Sequence, residues 1–267
     1  PFDLVRAEDF STAFDVALQS HRAEIDALAG SMFVPTFENT LVAFDRSGRL
    51  LARVRELFFN LTAAETSPAL QKVELEIAPK LSAHNSAIYM NDALFGRIDL
   101  LHARMGSLGI TPEAQRLLDR VHLDFVRAGA KLAPASKARY ADVMAKLAQL
   151  TTQFSQNVLA DESSYQLLLR DERDLAGLPE SLRNAAKEAA VARGVNDAYA
   201  ITLSRSLIVP FLTFSERRDL REQVQKAWAS RGEHDGANDN RTLAVEILKL
   251  RQDQRTRQRY RVGVIHT

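Results

Sequence analysis

A mainly α fold, a bundle of long antiparallel helices with a small α/β element near residues 161–214, follows from three features of this sequence. Apolar residues recur at spacings of three, four and seven along most of the chain, which lays them on one face of successive helices. Helix-start signals punctuate that pattern, pairing Ser, Thr or Asn with a following Pro or acid. Two short runs, near 164–169 and 198–203, leave the helical period and carry a strand-like composition. The 46% apolar content fills a sizeable core and the 26% charged content solvates the surface. At 267 residues the chain can build one large domain or two smaller ones.

Residues 8–29 carry Phe10, Phe14, Ala17, Leu18 and Ile25 as one apolar stripe, closed by Gly30. Pro35 opens a connection, and Thr36 precedes one long amphipathic run to about Leu61, with Leu41, Phe44, Leu51, Val54, Leu57, Phe58 and Leu61 inward. Ser67-Pro68 reads as a cap with Pro in the first turn, and Pro79 should kink the helix it begins. Asn91 caps a short helix ending near Gly106. Thr111-Pro112-Glu113 starts another, to about Ala128, and Ala133-Pro134 a longer one to about Ala160. SYQLLL (164–169) and AYAITL (198–203) are the two strands, pairing across a helix at about Pro179–Arg193. Ser215-Glu216 starts a charged helix to Arg231. Gly232–Asn240 is a polar loop, and a last helix covers about Arg241–Gln254. The expected organisation is a helical region over 1–160, a mixed region over 161–251 packed on it, and an atypical Arg-rich tail over 252–267.

Several function classes lose support. The net charge of +1, from 35 basic and 34 acidic residues, lacks the basic excess of a nucleic-acid binder. With no cysteine there are no disulfides, thiolate metal sites or cysteine nucleophiles. No apolar run approaches the roughly 20 residues that span a bilayer. Pro1-Phe2-Asp3-Leu4 is not a secretory signal, and without an initiator Met the numbered chain is expected to begin just inside a longer product.

Candidate sites are few. The histidines are His21, His84, His102, His122, His234 and His266, and none forms HExxH, the one-turn spacing that turns two imidazoles to one metal with a Glu between them. His122 and Asp124, two apart on a helix, point in different directions. His234, near Glu233, Asp235 and Asp239, could contribute to an adventitious metal site, but loop 232–240 lacks the spacing of a calcium loop and reads as a turn capped by Asp239 or Asn240. The arginines from Arg251 to Arg261 read as a solvated, partly disordered tail with Tyr260 its one aromatic. The run Glu216–Glu222 suggests i,i+4 ion pairs, Trp228 and Phe211 suggest core, and Ser204-Arg205-Ser206 a strand end and helix cap. No catalytic, cofactor or metal residue is assigned.

Beside this reading stands a resemblance. Pro35-Thr36-Phe37-Glu38-Asn39-Thr40, Leu57–Leu61 (LFFNL), Glu76–Leu81 (EIAPKL), Asn91–Phe95 (NDALF), Phe154–Leu159 (FSQNVL), Asp174–Pro179 (DLAGLP), Arg217–Arg221, Ala227-Trp228 with Arg231-Gly232, and Asp239-Asn240-Arg241 occur in the order found in the thimet oligopeptidase family. The series covers about residues 2–251 and resembles the N-terminal portion of that family, the peptidyl-dipeptidase branch most. The resemblance implies a helical bowl cut by a channel, zinc-dependent hydrolysis of short peptides in the cytoplasm, and a wall of that channel built by this portion. Zinc belongs to a later region holding HExxH, so none is implied for this chain. The expected partners are that catalytic half and short peptides, with no nucleic acid and no membrane, and self-association through an exposed apolar face. Alone, the chain is expected to be inactive. The alternatives are a stand-alone helical interaction module or a truncated product without function. After Arg251 the sequence departs from the family pattern, as an altered terminus would.

Overall fold

The computed structural model describes residues 4–262, with side chains from 4 to 255. The fold is mainly α and divides into two compact units, the described parts of Pro1–Thr152 with Ile247–Thr267, and Gln153–Glu246.

In the first unit, α1 (Asp9–Ala29) buries Phe10, Phe14, Ala17 and Ile25 and ends at Gly30, whose N–H bonds Asp26 O. Thr36 and Asn39 then form a reciprocal capping box, which starts a π-helical turn over Phe37–Val42 that continues into α2 (Ala43–Arg46). The run expected to be continuous from 36 to 61 is broken here. Gly48 takes a left-handed φ of +70°, and α3 (Arg49–Ala64) starts afresh. The break is invisible in the hydrophobic pattern because Phe44 and Leu51, seven residues apart, stay in phase across it.

The remaining helix starts follow the sequence signals. Ser67 accepts from Leu70 N at the head of α4 (Pro68–Tyr89), which carries Pro79 in its interior. Asn91 accepts from Leu94 N at 2.9 Å to begin α5 (Asp92–Ala103), and Thr111 from Ala114 N at 3.2 Å to begin α6 (Pro112–Arg127). Each cap satisfies a backbone donor that the first turn leaves free. Two cores result. Phe58 lies edge-on to Phe10 and Phe14, with centroids 5.0 and 5.4 Å away, beside Leu51, Val73 and Ile77. The other gathers Ile25, Leu41, Leu94, Ile98, Leu101, Leu118 and Phe125.

The second unit holds the α/β element. α7 (Pro134–Ser164) begins in the first unit and ends in the second. β1 (Leu167–Leu169) and β2 (Tyr199–Ile201) pair antiparallel, Leu168 opposite Ala200, with α8 (Glu180–Val191) between them in sequence. Next come α9 (Arg205–Phe214) and α10 (Arg218–Ala229). The sequence pattern predicts no element over most of α9, because this stretch is nearly all apolar and contains Pro210. Ser204 makes no side-chain cap to it. Leu169, Leu175, Ala186, Ile201, Phe211 and Val224 close the core, and Trp228 packs against it, half-buried. Gly177, at φ +80°, lies so close to Phe214 O that a Cβ would stand 2.2 Å from it. α11 (Arg241–Val262) returns to the first unit and runs past the end expected near Gln254, so the backbone of the Arg-rich stretch is helical through Val262. Gly263–Thr267, His266 among them, lie outside the described residues. Among the described residues no helix is long and apolar enough to cross a membrane.

Candidate functional site

Each described histidine is committed to a hydrogen-bond partner. Among the described residues no group of three or more His, Asp or Glu side chains is placed to hold a metal ion. His122 Nε2 meets Asp99 Oδ1 at 2.8 Å, not the neighbouring Asp124. His102 Nε2 meets Asp119 Oδ1 at 2.9 Å, and the two rings stack 3.9 Å apart. Burial lowers the pKa of His122, and the Asp99 carboxylate opposes that shift.

His234 departs from the sequence reading. Its partner is not one of the acids in its own loop but Asp161 on α7, with Nε2 to Oδ2 at 2.7 Å. Asp161 also accepts from Gly232 N at 2.7 Å and from the Asn238 amide at 2.9 Å, so one buried carboxylate pins loop 232–240. Burial works to raise the pKa of Asp161, but these donors outweigh it and the net shift is downward. The hydrogen bond to Asp161 raises the pKa of His234. Asp239 caps Arg241 N at 3.0 Å, while the Asn240 side chain turns to Asn157 and Phe154 O.

In the charge run, Glu222 forms the expected i,i+4 pair, with Lys226 at 2.6 Å, while Arg217 pairs with Asp219, two residues on, and with Asp174 from the preceding 3₁₀ turn (Glu172–Leu175). The hydroxyls of Thr202, Ser204 and Ser206 bond one another, and among the described residues no histidine bonds them.

The first unit presents a more unusual arrangement. Arg97 sits on the buried face of α5 and points its guanidinium at the connection after α1. Nη1 donates to Ser31 O at 2.9 Å and Phe33 O at 3.0 Å; Nη2 donates to Asn39 Oδ1 and Thr40 Oγ1, both at 3.2 Å. Among the described residues no carboxylate pairs with it, and its Nε has no partner. A buried cation is costly unless its donors are satisfied. This one is held by four neutral oxygens and spends them on a loop whose next side chains, Met32, Phe33 and Val34, are 97%, 79% and 70% exposed. Three consecutive exposed apolar residues on a rigidly tied loop make a surface suited to contact with another polypeptide. The sequence carries the signal: Arg97 lies three residues after Leu94 and four before Leu101, a charge in a core stripe.

Beside that loop runs a groove of about 360 Å³ lined by Glu24, Leu28, Ser31, Asn39, Arg46 and Ser47. Ser47 Oγ lies 3.2 Å from His21 Nε2, and His21 Nδ1 lies 2.9 Å from His84 Nε2. The three resemble a nucleophile, a base and an orienting group. The hydroxyl, however, donates to Phe44 O at 2.6 Å, and the neighbouring Gly48 N–H donates to Glu24 at 2.7 Å. No free nucleophile and no oxyanion donor remain, so the arrangement is structural. Sequence reasoning missed this contact because 63 residues separate the two histidines.

No family model matches the chain. Among known proteins, dipeptidyl carboxypeptidase of Escherichia coli is 37% identical over 255 residues, which is 96% of this chain and 37% of that protein. Oligopeptidase A of Haemophilus influenzae is 28% identical over 94% of this chain and 37% of its own length. A probable cytosolic oligopeptidase A of Arabidopsis thaliana is 25% identical over 95% of this chain and 37% of its own. The chain therefore spans little more than a third of the length of the curated relatives it matches.

Proposed function

Since this chain is homologous over nearly all its length to dipeptidyl carboxypeptidase and oligopeptidase A, of the thimet oligopeptidase family, we propose that it is the channel-wall portion of a zinc-dependent peptidase of short peptides, inactive by itself. Its partner in that reading is the catalytic region of the same enzyme. The observation that supports it is an asymmetry: relatedness extends over 96% of this chain but 37% of the relative, and none of the 267 residues forms HExxH.

The described side chains do not fit zinc. The described histidines bond single carboxylates, a hydroxyl or each other, and no third ligand converges on any of them. No chemical step is therefore assigned to this chain. Its contribution is to bind and exclude, through a polar groove and the apolar Met32–Val34 loop. The cytoplasm is the compartment that fits best, with one relative named as cytosolic.

Two experiments test the reading. The purified chain with added zinc should leave internally quenched peptides intact; chelator-sensitive hydrolysis by a preparation free of other peptidases overturns the inactive assignment. This chain, grafted in place of the matching stretch of the Escherichia coli dipeptidyl carboxypeptidase, should give an active enzyme. A folded, zinc-loaded graft without activity overturns the channel-wall role. A stand-alone interaction module is the second reading, favoured by the exposed Met32-Phe33-Val34 tip. A chain that sediments as a single monomeric species favours it, and self-association favours a cut face.

A further inference from the structure

The corner between α2 and α3 is fastened by hydrogen bonds whose direction is fixed. Ser47 Oγ gives its proton to Phe44 O, so its lone pairs face His21 Nε2. His21 therefore carries its proton on Nε2 and presents a bare Nδ1 to His84 Nε2, which must be the donor across that 2.9 Å contact. The His21 ring also packs on Gly48, where a Cβ would stand 2.8 Å from it, and the Gly48 N–H is tied to Glu24. Two elements that the sequence alone would run together are thus held at their break by one imidazole from α1, and that imidazole is held by another from α4.

We propose that the His84–His21–Ser47 relay is an acid-sensitive latch on the α2–α3 corner. A first proton is absorbed without breaking the bond: on His84 Nδ1 it leaves the Nε2 donor in place, and on His21 Nδ1 the neutral His84 carries its own proton on Nδ1 and accepts at Nε2. A second proton puts an N–H on both facing nitrogens and a positive charge on both rings, so the bond breaks and the His21 ring swings away from Gly48 and Ser47. The charged groups facing the pair are Glu24 and Arg22, both on α1; α4 brings His84 itself, and the corner brings the Ser47 hydroxyl and the Gly48 backbone. Burial lowers the pKa of both rings, against Glu24 for His21. For His84, the neighbouring His21 and Arg22 add to burial and bring it to about 4. Both rings are neutral at pH 7, and the latch opens when acidification has charged both. Glu24 and Ser47 also line the groove of about 360 Å³, so opening reshapes its wall.

The test uses the whole chain. Nitrogen-detected NMR of the rings at pH 7 should show the Nε2–H tautomer on both His21 and His84. Between pH 7.5 and 3.5, hydrogen-exchange protection of the Ser47 and Gly48 amides, corrected for intrinsic rates, should fall about tenfold, the equivalent of one lost hydrogen bond, in step with protonation of the second ring of the pair. In His84→Gln the side-chain amide offers donor or acceptor as needed, so protection there should change less than about twofold. Glu24 is unchanged in that variant, and its own titration cancels in the comparison. An Nδ1–H tautomer on His21, protection in the native chain that does not fall with pH, or an equal fall in His84→Gln each overturns the latch.

Discussion

Each unit buries one charged side chain among the described residues and uses it to fasten one loop, but the charges are opposite and so is the chemistry of their partners. Arg97 holds residues 31–40 through four neutral oxygens. Asp161 holds residues 232–240 through a backbone N–H, an amide and an imidazole. A guanidinium stays charged at any pH the fold survives, and carbonyl, amide and hydroxyl oxygens do not titrate. The first loop is therefore held with the same strength from acid to base. The second is held by a carboxylate and a histidine, and both titrate. Similar architecture, a buried charge under a loop, gives a pH-blind clamp in one unit and a pH-responsive one in the other.

The largest effect is expected from removing the cation. Arg97→Met keeps much of the stem's packing but leaves Ser31 O, Phe33 O, Asn39 and Thr40 without their donor. Denaturant unfolding should show a loss of about 2–3 kcal/mol, less than breaking a fully buried ion pair because no counter-charge is stranded. Hydrogen exchange over 31–40 should quicken while 232–240 is unaffected. Native stability in the variant would mean that the capping box of Thr36 and Asn39, not Arg97, holds the connection.

Asp161→Asn should cost less, about 1–2 kcal/mol, because one acceptor oxygen survives, although the new NH₂ confronts one or two of the three donors. Loosening should now appear at 232–240 and spare 31–40. Equal loosening of both loops in either variant would break the contrast between the clamps.

The two clamps are unequally legible in the sequence. Arg97 interrupts an apolar stripe of spacing three and four, and that interruption by itself marks a buried cation. Asp161 gives no such sign: its partners Gly232, His234 and Asn238 lie 71 to 77 residues away, and the acids beside His234 suggest a local site instead. The same division holds for the fold. Helix starts at Ser67, Asn91 and Thr111 are readable because a cap is made by residues three apart. The Gly48 break is not legible in the apolar pattern, and the side chains packed against it, His21 and Glu24, lie 27 and 24 residues earlier in the numbering. Local geometry is written in local spacing, whereas buried polar contacts between distant segments are not. The candidate groove and the histidine pair belong to the second kind.

The smallest effect tests the titrating clamp by pH. The pKa of His234 is raised by its bond to Asp161, so the folded state holds that proton more tightly than the unfolded chain. Its contribution to stability is fully present below the ordinary value of 6.5 and is lost as pH rises through the raised folded value. Asp161 is shifted downward, so its contribution is present above 3.8 and is lost as pH falls through its lowered folded value. The clamp on 232–240 is therefore at full strength between those two limits. On the alkaline side the change is modest, since neutral His234 still donates from Nε2 and only the charge-assisted part of the bond disappears. Corrected exchange protection at Gly232, followed from pH 5.5 to 8.5, should decline, and His234→Gln should flatten that decline while leaving the acid limb set by Asp161. An alkaline decline that survives in His234→Gln would assign the response to another group and return the second clamp to the pH-blind class of the first.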